Sequence, residues 1–378
     1  MRVVFAGGGT GGHIFPGLAV AEAVKARRPD AEILFLGTGR PIDREVVPAH
    51  GYRLLEQSVR PVPSVRKPWQ FPAFLWHWFR SKQMAASAMR GTGVGTEPPI
   101  GDGTVVLGLG GYACGPAIRV AASKGIPAAI VNPDLIPGKA NLWAEKYVRE
   151  VYVQFEDSRA HFRSADKVFV TGCPLRGGIA AGDRRAAAAE FGLDPDRLTL
   201  LVTGASQGAH SINEAMVLLG SRLDAFADRW QVLHLTGRKE FDSVAPRVAG
   251  RRLPWKPVAF TQRMERVYAL ADLAVGRAGA ASLAEFTACG LASILLPYPY
   301  HADQHQRRNA EVLVRAGAAV LVPDRIEPAA VADDLAGPLL GMMSAPETLV
   351  PYREAARRLG RPDAAGTIAD RLIALAEG

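Results

Sequence analysis

Acidic residues are missing from one stretch of this 378-residue chain: from Arg60 to Arg90 there are six Lys or Arg and no Asp or Glu. Cysteine is scarce as well. Cys114, Cys173 and Cys289 stand far apart without C-x-x-C spacing, which argues against a disulfide framework and against a zinc site. No apolar run approaches the ~18 residues of a transmembrane helix. The opening Met1-Arg2-Val3-Val4-Phe5-Ala6 runs straight into glycines and lacks the regions of a signal peptide, so the cytoplasm is expected. What remains is 48% hydrophobic and 22% charged, the composition of a soluble globular protein. The length suits two domains of about 150 to 200 residues. A net charge of +8 suits nucleic acid, anionic lipid or phosphorylated substrates and does not choose among them.

The pattern along the chain is strand, glycine-rich turn, helix. Arg2 to Ala6 reads as a buried strand, then Gly7-Gly8-Gly9-Thr10-Gly11-Gly12-His13, then a helix through Leu18, Val20, Ala21 and Val24. Ile33 to Phe35-Leu36, Val105 to Leu107 and Ala128 to Val131 read as further strands. The motif restarts at Leu198 to Val202, followed by Gly204-Ala205-Ser206-Gln207-Gly208 and a helix through Ile212 and Met216. Gln231 to Leu235 and Leu291 to Leu296 are strands, with a helix at Met264 to Ala271 between them. Strands alternating with helices predict an α/β fold of two Rossmann-like halves with parallel sheets. The seam is expected near 165 to 172. The last helical stretch, Pro351 to Ala376, suits either half. Thr92 to Gly103, rich in Gly and Pro, reads as a surface loop.

Gly7-x-Gly9-x-x-Gly12 matches a dinucleotide fingerprint, whose glycines let N–H groups at a helix start approach a phosphate. An NAD site also wants an acid at the end of the second strand. Here that strand ends Leu36-Gly37-Thr38, so the fingerprint loses its discriminating residue. Glycines that merely let helix pack on strand are the plainer alternative. His13, where turn meets helix, is either a general base for a sugar hydroxyl or a hydrogen-bonded structural group. The 204–208 loop repeats the phosphate-cradling logic, with Arg176 expected nearby as a partner for a diphosphate leaving group or as a surface charge. In the segment Gly276 to Glu285, small residues open a helix start and Glu285 follows about two turns later, as a carboxylate facing a ribose does. The acid-free segment carries an apolar stripe, Phe71, Phe74, Leu75, Trp78 and Phe79, on one helical face. It reads as core, as an interfacial membrane helix, or as a stacking surface for single-stranded nucleic acid. No nucleic-acid motif supports the last.

These residues together resemble the MurG family. Gly8-Gly9-Thr10-Gly11-Gly12-His13-x-x-Pro16-Gly17-Leu18-Ala19 is similar to its opening, and Gly108-Leu109-Gly110-Gly111-Tyr112 with Gly115-Pro116 to its second glycine loop. Ser206-Gln207-Gly208-Ala209 with Asn213, Arg277-Ala278-Gly279-Ala280 to Glu285, and Asp303-x-x-Gln306-x-x-Asn309-Ala310 complete the series. The resemblance implies a GT-B glycosyltransferase, two Rossmann-like domains facing a cleft, using neither metal nor cofactor. An acceptor and membrane domain would span 1–168, a UDP-N-acetylglucosamine domain 169–349, and the last helix, about 350–378, can pack back on the first. It implies inverting transfer of N-acetylglucosamine from UDP to the 4-hydroxyl of undecaprenyl-diphosphate-linked N-acetylmuramyl-pentapeptide. The expected location is peripheral, at anionic lipid on the cytoplasmic face of the inner membrane.

By matching positions, Thr10, Gly11, Gly12, Arg176, Ser206, Thr261, Ala280, Ala281, Ser282, Leu283, Ala284, Glu285 and Gln306 would hold the donor. Gly9, Thr10, Gly110, Gly111 and Tyr112 would hold the acceptor diphosphate. His13 is the base candidate. Asp134 is the second, because Val131-Asn132-Pro133-Asp134 stands where the family carries His-Glu-Gln-Asn, and Gly172-Cys173-Pro174 replaces its Gly-Asn-Pro. That departure leaves two alternatives: a related transferase with another lipid-linked acceptor, or a non-catalytic lipid-linked-sugar binding protein.

Overall fold

The computed structural model describes residues 1–90, 103–204, 208–300 and 303–378. Thr92 to Asp102 of the expected loop, Ser206 with its neighbours Ala205 and Gln207, and His301-Ala302 lie outside the described residues. Thirteen strands are described. β1 (Arg2–Ala6), β2 (Glu32–Gly37), β3 (Arg53–Glu56), β4 (Thr104–Gly108), β5 (Ala128–Asn132), β6 (Glu150–Val153) and β7 (Val168–Val170) form one parallel sheet in the order β3-β2-β1-β4-β5-β6-β7. β8 (Leu198–Thr203), β9 (Trp230–Leu235), β10 (Trp255–Val258), β11 (Ala271–Gly276), β12 (Ala292–Leu295) and β13 (Ala319–Leu321) form a second, ordered β10-β9-β8-β11-β12-β13.

Both orders reverse direction beside their first strand, between β1 and β4 and between β8 and β11. In a doubly wound sheet this is the crevice where ligands bind. The strands are largely apolar because helices cover both faces: every residue of β1, β4, β5, β9 and β11 is buried. β11 follows immediately on the Met264–Leu270 helix, so the expected helix and this strand share a border at Ala271.

The chain divides into two units, Met1–Gly177 with Asp363–Gly378, and Gly178–Pro362. The seam expected at 165 to 172 falls on β7, the edge strand of the first sheet. The expected single C-terminal helix is two, Leu349–Leu359 and Ala364–Glu377, because Gly360-Arg361-Pro362 interrupts it; a proline cannot continue a helix. The second of these belongs to the first unit. Ile368, Ala369 and Leu372 join Val3, Phe5 and Leu18 in its core. Arg371 forks onto Glu150 at 2.7 Å through both Nε and Nη2, and its guanidinium lies 3.4 Å from the Phe169 ring centroid.

Candidate active site

In the first unit the chain leaves β1 through three glycines with positive φ, Gly7 at 136°, Gly8 at 142° and Gly9 at 83°. Three successive left-handed residues are tolerable only without side chains. Thr10 then caps the Gly11–Arg27 helix, whose first N–H groups have no intrahelical acceptor. The Thr10 hydroxyl makes no cap bond and lies 3.0 Å from His13 Nδ1 instead.

A second left-handed pair, Gly110 and Gly111, follows β4. A Cβ on Gly110 would come 3.3 Å from His13 Nε2, and one on Gly111 3.5 Å from His13 Cε1. The imidazole edge therefore faces this second glycine turn, which runs on into Tyr112. Burial lowers the pKa of His13 and keeps the ring neutral near pH 7, while Asp134, the Gly8 carbonyl and Asp43 pull weakly the other way. β5 extends to Asn132, one residue beyond its expected end at Val131. Val131 is core at 2% exposure, and Asn132 is buried. Asn132 donates to the Asp134 carbonyl at 2.6 Å, and Asn141 donates to Asn132 Oδ1 and to the Val131 carbonyl. Of the four departing positions, only Asp134 brings a charge toward His13. Arg176 belongs to this unit, with its guanidinium 5.8 Å from the Phe15 ring on the first helix turn.

In the second unit Glu285 is half-buried on the Ala280–Ala288 helix and its Oε2 accepts from the Tyr268 hydroxyl at 2.6 Å. That helix begins immediately after β11, with Gly279 at its cap. Arg277 is buried. Its Nη1 donates to Asp324 at 2.5 Å and to the Leu296 carbonyl at 3.0 Å, and its Nη2 to Ser211 Oγ at 3.0 Å. Gln306 accepts from the Tyr298 N–H at 2.9 Å, and Thr261 Oγ1 from the Arg263 N–H at 3.0 Å. Ala281 and Ser282 are half-buried and Ala280 is buried. Among the described residues no His, Cys, Asp and Glu cluster has the makings of a metal site.

Three expectations need correction. Gly9 cannot offer its N–H to a phosphate, because that group already donates to Asp43 at 2.7 Å. Leu283 is 0% exposed and Ala284 is buried, so their side chains are core and only their backbone is available to a ligand. The apolar stripe splits. On the Phe71–Ala88 helix, Phe71, Phe74 and Trp78 are half-buried, with Trp78 edge-on to Trp143 and close to Gly115. Leu75 (59%), Phe79 (59%) and the unexpected Trp76 (54%) face outward. The inward line Phe74, Trp78, Ser81, Ala85, Ala88 keeps helical spacing, which apolarity alone did not separate from its neighbour.

Sequence reading missed Asp43, Asp324 and Tyr268. Each stands at helical or loop positions with no motif around it, and its role comes from a partner distant in sequence. Only Asp43 left a faint signal, an acid in the first turn of a helix that opens with proline.

Two family models match the chain: the glycosyltransferase family 28 N-terminal domain over residues 3–98 and the glycosyltransferase family 28 C-terminal domain over 199–367. A UDP-N-acetylglucosamine--N-acetylmuramyl-(pentapeptide) pyrophosphoryl-undecaprenol N-acetylglucosamine transferase of Chlorobaculum tepidum is 38% identical over 381 residues, covering 100% of both chains. The protein of that name from Geobacter sulfurreducens is 37% identical over 377 residues, covering 99% of this chain and 98% of its own. Among solved structures, Acinetobacter baumannii MurG superposes with a TM-score of 0.72 at 23% identity, covering 98% of each chain. A Neisseria meningitidis UDP-GlcNAc 2-epimerase shares the fold with a TM-score of 0.60 at 13% identity, over 99% of this chain and 100% of its own. With both family 28 domains present and full-length relatives well above 30% identity, this chain belongs to the MurG family of glycosyltransferases.

Proposed function

We propose that the chain transfers N-acetylglucosamine from UDP-N-acetylglucosamine to the 4-hydroxyl of undecaprenyl-diphosphate-linked N-acetylmuramyl-pentapeptide, with inversion, in peptidoglycan synthesis. The observation that carries this is full-length identity of 38% to a transferase named for that reaction. The acceptor oxygen attacks the anomeric carbon as the bond to the UDP oxygen breaks, and the hydroxyl proton passes to His13. A ring that burial keeps neutral is ready to take it, and the carboxylate of Asp134 favours the imidazolium that results. The N–H groups at the start of the Gly11–Arg27 helix and at Gly110-Gly111 suit the acceptor diphosphate.

The donor falls to the second unit, with Glu285 on the ribose hydroxyls, the Ala280–Ala288 helix start and Ser206 on the diphosphate, Thr261 on uracil and Gln306 on the sugar. Arg176 serves the leaving group. The site is peripheral to the inner membrane on its cytoplasmic face. Among the described residues no helix is long and apolar enough to cross a membrane. Leu75, Trp76 and Phe79, flanked by Arg66, Lys67, Arg80 and Lys82, suit the boundary of an anionic bilayer. A second reading, the same donor with another lipid-linked acceptor, is favoured by Val131-Asn132-Pro133-Asp134.

Turnover of UDP-N-acetylglucosamine with a soluble lipid I analogue decides. Disaccharide product supports the first reading, and UDP release only with other polyprenyl glycosides the second. Neither outcome, with UDP bound, leaves a binding protein.

A further inference from the structure

Beneath the first glycine turn lies a carboxylate shut off from solvent. Asp43, in the first turn of the Pro41–Ala49 helix, is 0% exposed. Its Oδ1 accepts the Gly9 N–H at 2.7 Å, and its Oδ2 accepts the Thr38 N–H and the Thr38 hydroxyl, each at 2.8 Å. A Cβ on Gly8 would come within 2.8 Å of both oxygens, so the turn is built around this group. Among the described residues no lysine or arginine forms an ion pair with it. Both oxygens accept, and an amide of the same shape would turn its NH2 group on donors, so this turn needs an ionised carboxylate, a charge held here only by neutral donors. The charge that closes the turn also acts on His13.

We propose that Asp43 is a positioning residue for glycosyl transfer: by clamping Gly9 and Thr38 it sets the turn that presents His13 and the first N–H groups of the Gly11–Arg27 helix to the acceptor. This rests on the reading of His13 as the base. Its charge acts on His13 together with Asp134, from the turn after β5, and with the Gly8 carbonyl; all three favour the protonated ring, against the larger effect of burial. The cations bordering the turn are Arg40, whose Nη1 donates to the Gly9 carbonyl at 3.2 Å, and Arg176 over Phe15. Removing the Asp43 charge therefore lowers the His13 pKa further. The ring then stays neutral to lower pH and accepts a proton less readily at the moment of attack.

The test assays the full chain as wild type, Asp43→Asn and Thr38→Val with UDP-N-acetylglucosamine and a soluble lipid I analogue, and titrates His13 by NMR in the free protein. Asp43→Asn is expected to lower kcat about ten- to a hundredfold, as small misplacements of a reacting group do. Its donor KM should stay within about twofold, because the second unit, to which the donor falls, is untouched. The acid limb of its kcat profile and the His13 midpoint should both move to lower pH, which a purely structural role would not cause. Thr38→Val removes one donor and keeps the charge; it should lower kcat about three- to tenfold with the limb in place. Wild-type kcat in folded Asp43→Asn, or an unmoved His13 midpoint, overturns the proposal. Should Asp43→Asn fail to fold, unchanged kcat in Thr38→Val overturns it equally. The His13 midpoint needs no turnover, so an inactive wild type would refute the function reading and leave the effect of Asp43 on His13 to be judged by itself.

Discussion

The two switch points of this chain share a topology and differ in the charge buried beneath them. In the first unit the turn after β1 closes over a carboxylate, Asp43, satisfied by N–H and hydroxyl donors. In the second, the turn after β11 closes over a guanidinium, Arg277, neutralised by Asp324, whose side chain is 0% exposed. A lone buried anion projects its field onto its surroundings, whereas an ion pair largely cancels its own. The first arrangement thus reaches His13, and the second braces the start of the Ala280–Ala288 helix without adding net charge. Two copies of one strand order can carry different chemistry through what is placed under the turn.

The sharpest way to break this contrast is at His13. His13→Ala should lower kcat about 100- to 10,000-fold, the range for a positioned base, with UDP affinity by calorimetry unchanged. Asp134→Asn should stay within about tenfold of wild type, since its charge acts on His13 through the field; the reverse pattern would give the role to Asp134. At the second switch point, Asp324→Ala leaves Arg277 buried and uncompensated. Its cost should be about 3 to 5 kcal/mol by urea unfolding, and pairing Asp324→Leu with Arg277→Met should recover most of it.

Glu285→Ala should weaken UDP-N-acetylglucosamine binding about ten- to a hundredfold, the worth of a hydrogen bond to a charged group. Unchanged affinity in a folded variant would remove Glu285 from the donor site. The histidines of the two units also divide. His234 is enclosed, with Trp255 Nε1 donating to its Nδ1 and its Nε2 on Asn213, and burial pushes its pKa down to about 3. Unfolded, it takes up a proton near pH ~6.5. The unfolded state therefore binds more protons throughout that window, and stability falls as pH drops from ~6.5 toward about 3. Urea unfolding at pH 6 and pH 5 should differ by about 1.2 kcal/mol from this group alone. Least in energy is the outward stripe. Leu75→Ser with Phe79→Ser should release the protein from anionic vesicles at unchanged melting temperature, while Phe74→Ala with Trp78→Ala should lower that temperature. Each flanking cation contributes roughly 1 kcal/mol, so retention should also weaken in salt.

Much of this was legible before the fold. Glycine turns at Gly7 to Gly9 and Gly110-Gly111 announce themselves because only glycine tolerates their φ, and buried parallel strands read as largely apolar runs. Short edge strands such as β3 and β7 did not show, having three or four residues and no such run. Asp43 and Asp324 could not be picked from the many surface acids, because what distinguishes them is burial against partners far along the chain. The stripe on Phe71–Ala88 lies on a helix, as its spacing predicts, and divides between two faces of it. Two adjacent lines, one inward through Phe74 and Trp78 and one outward through Leu75 and Phe79, are both apolar, so periodicity merged them.

The helix Ala364–Glu377 carries a consequence for how this protein comes into being. Its Ile368, Ala369 and Leu372 complete a core begun by Val3 and Phe5, and Arg371 secures it to Glu150. On the ribosome, the first unit waits with that apolar groove open while the whole of Gly178–Pro362 is made. The second unit, contiguous in sequence, can fold as it emerges; the first to be synthesised is the last to be finished.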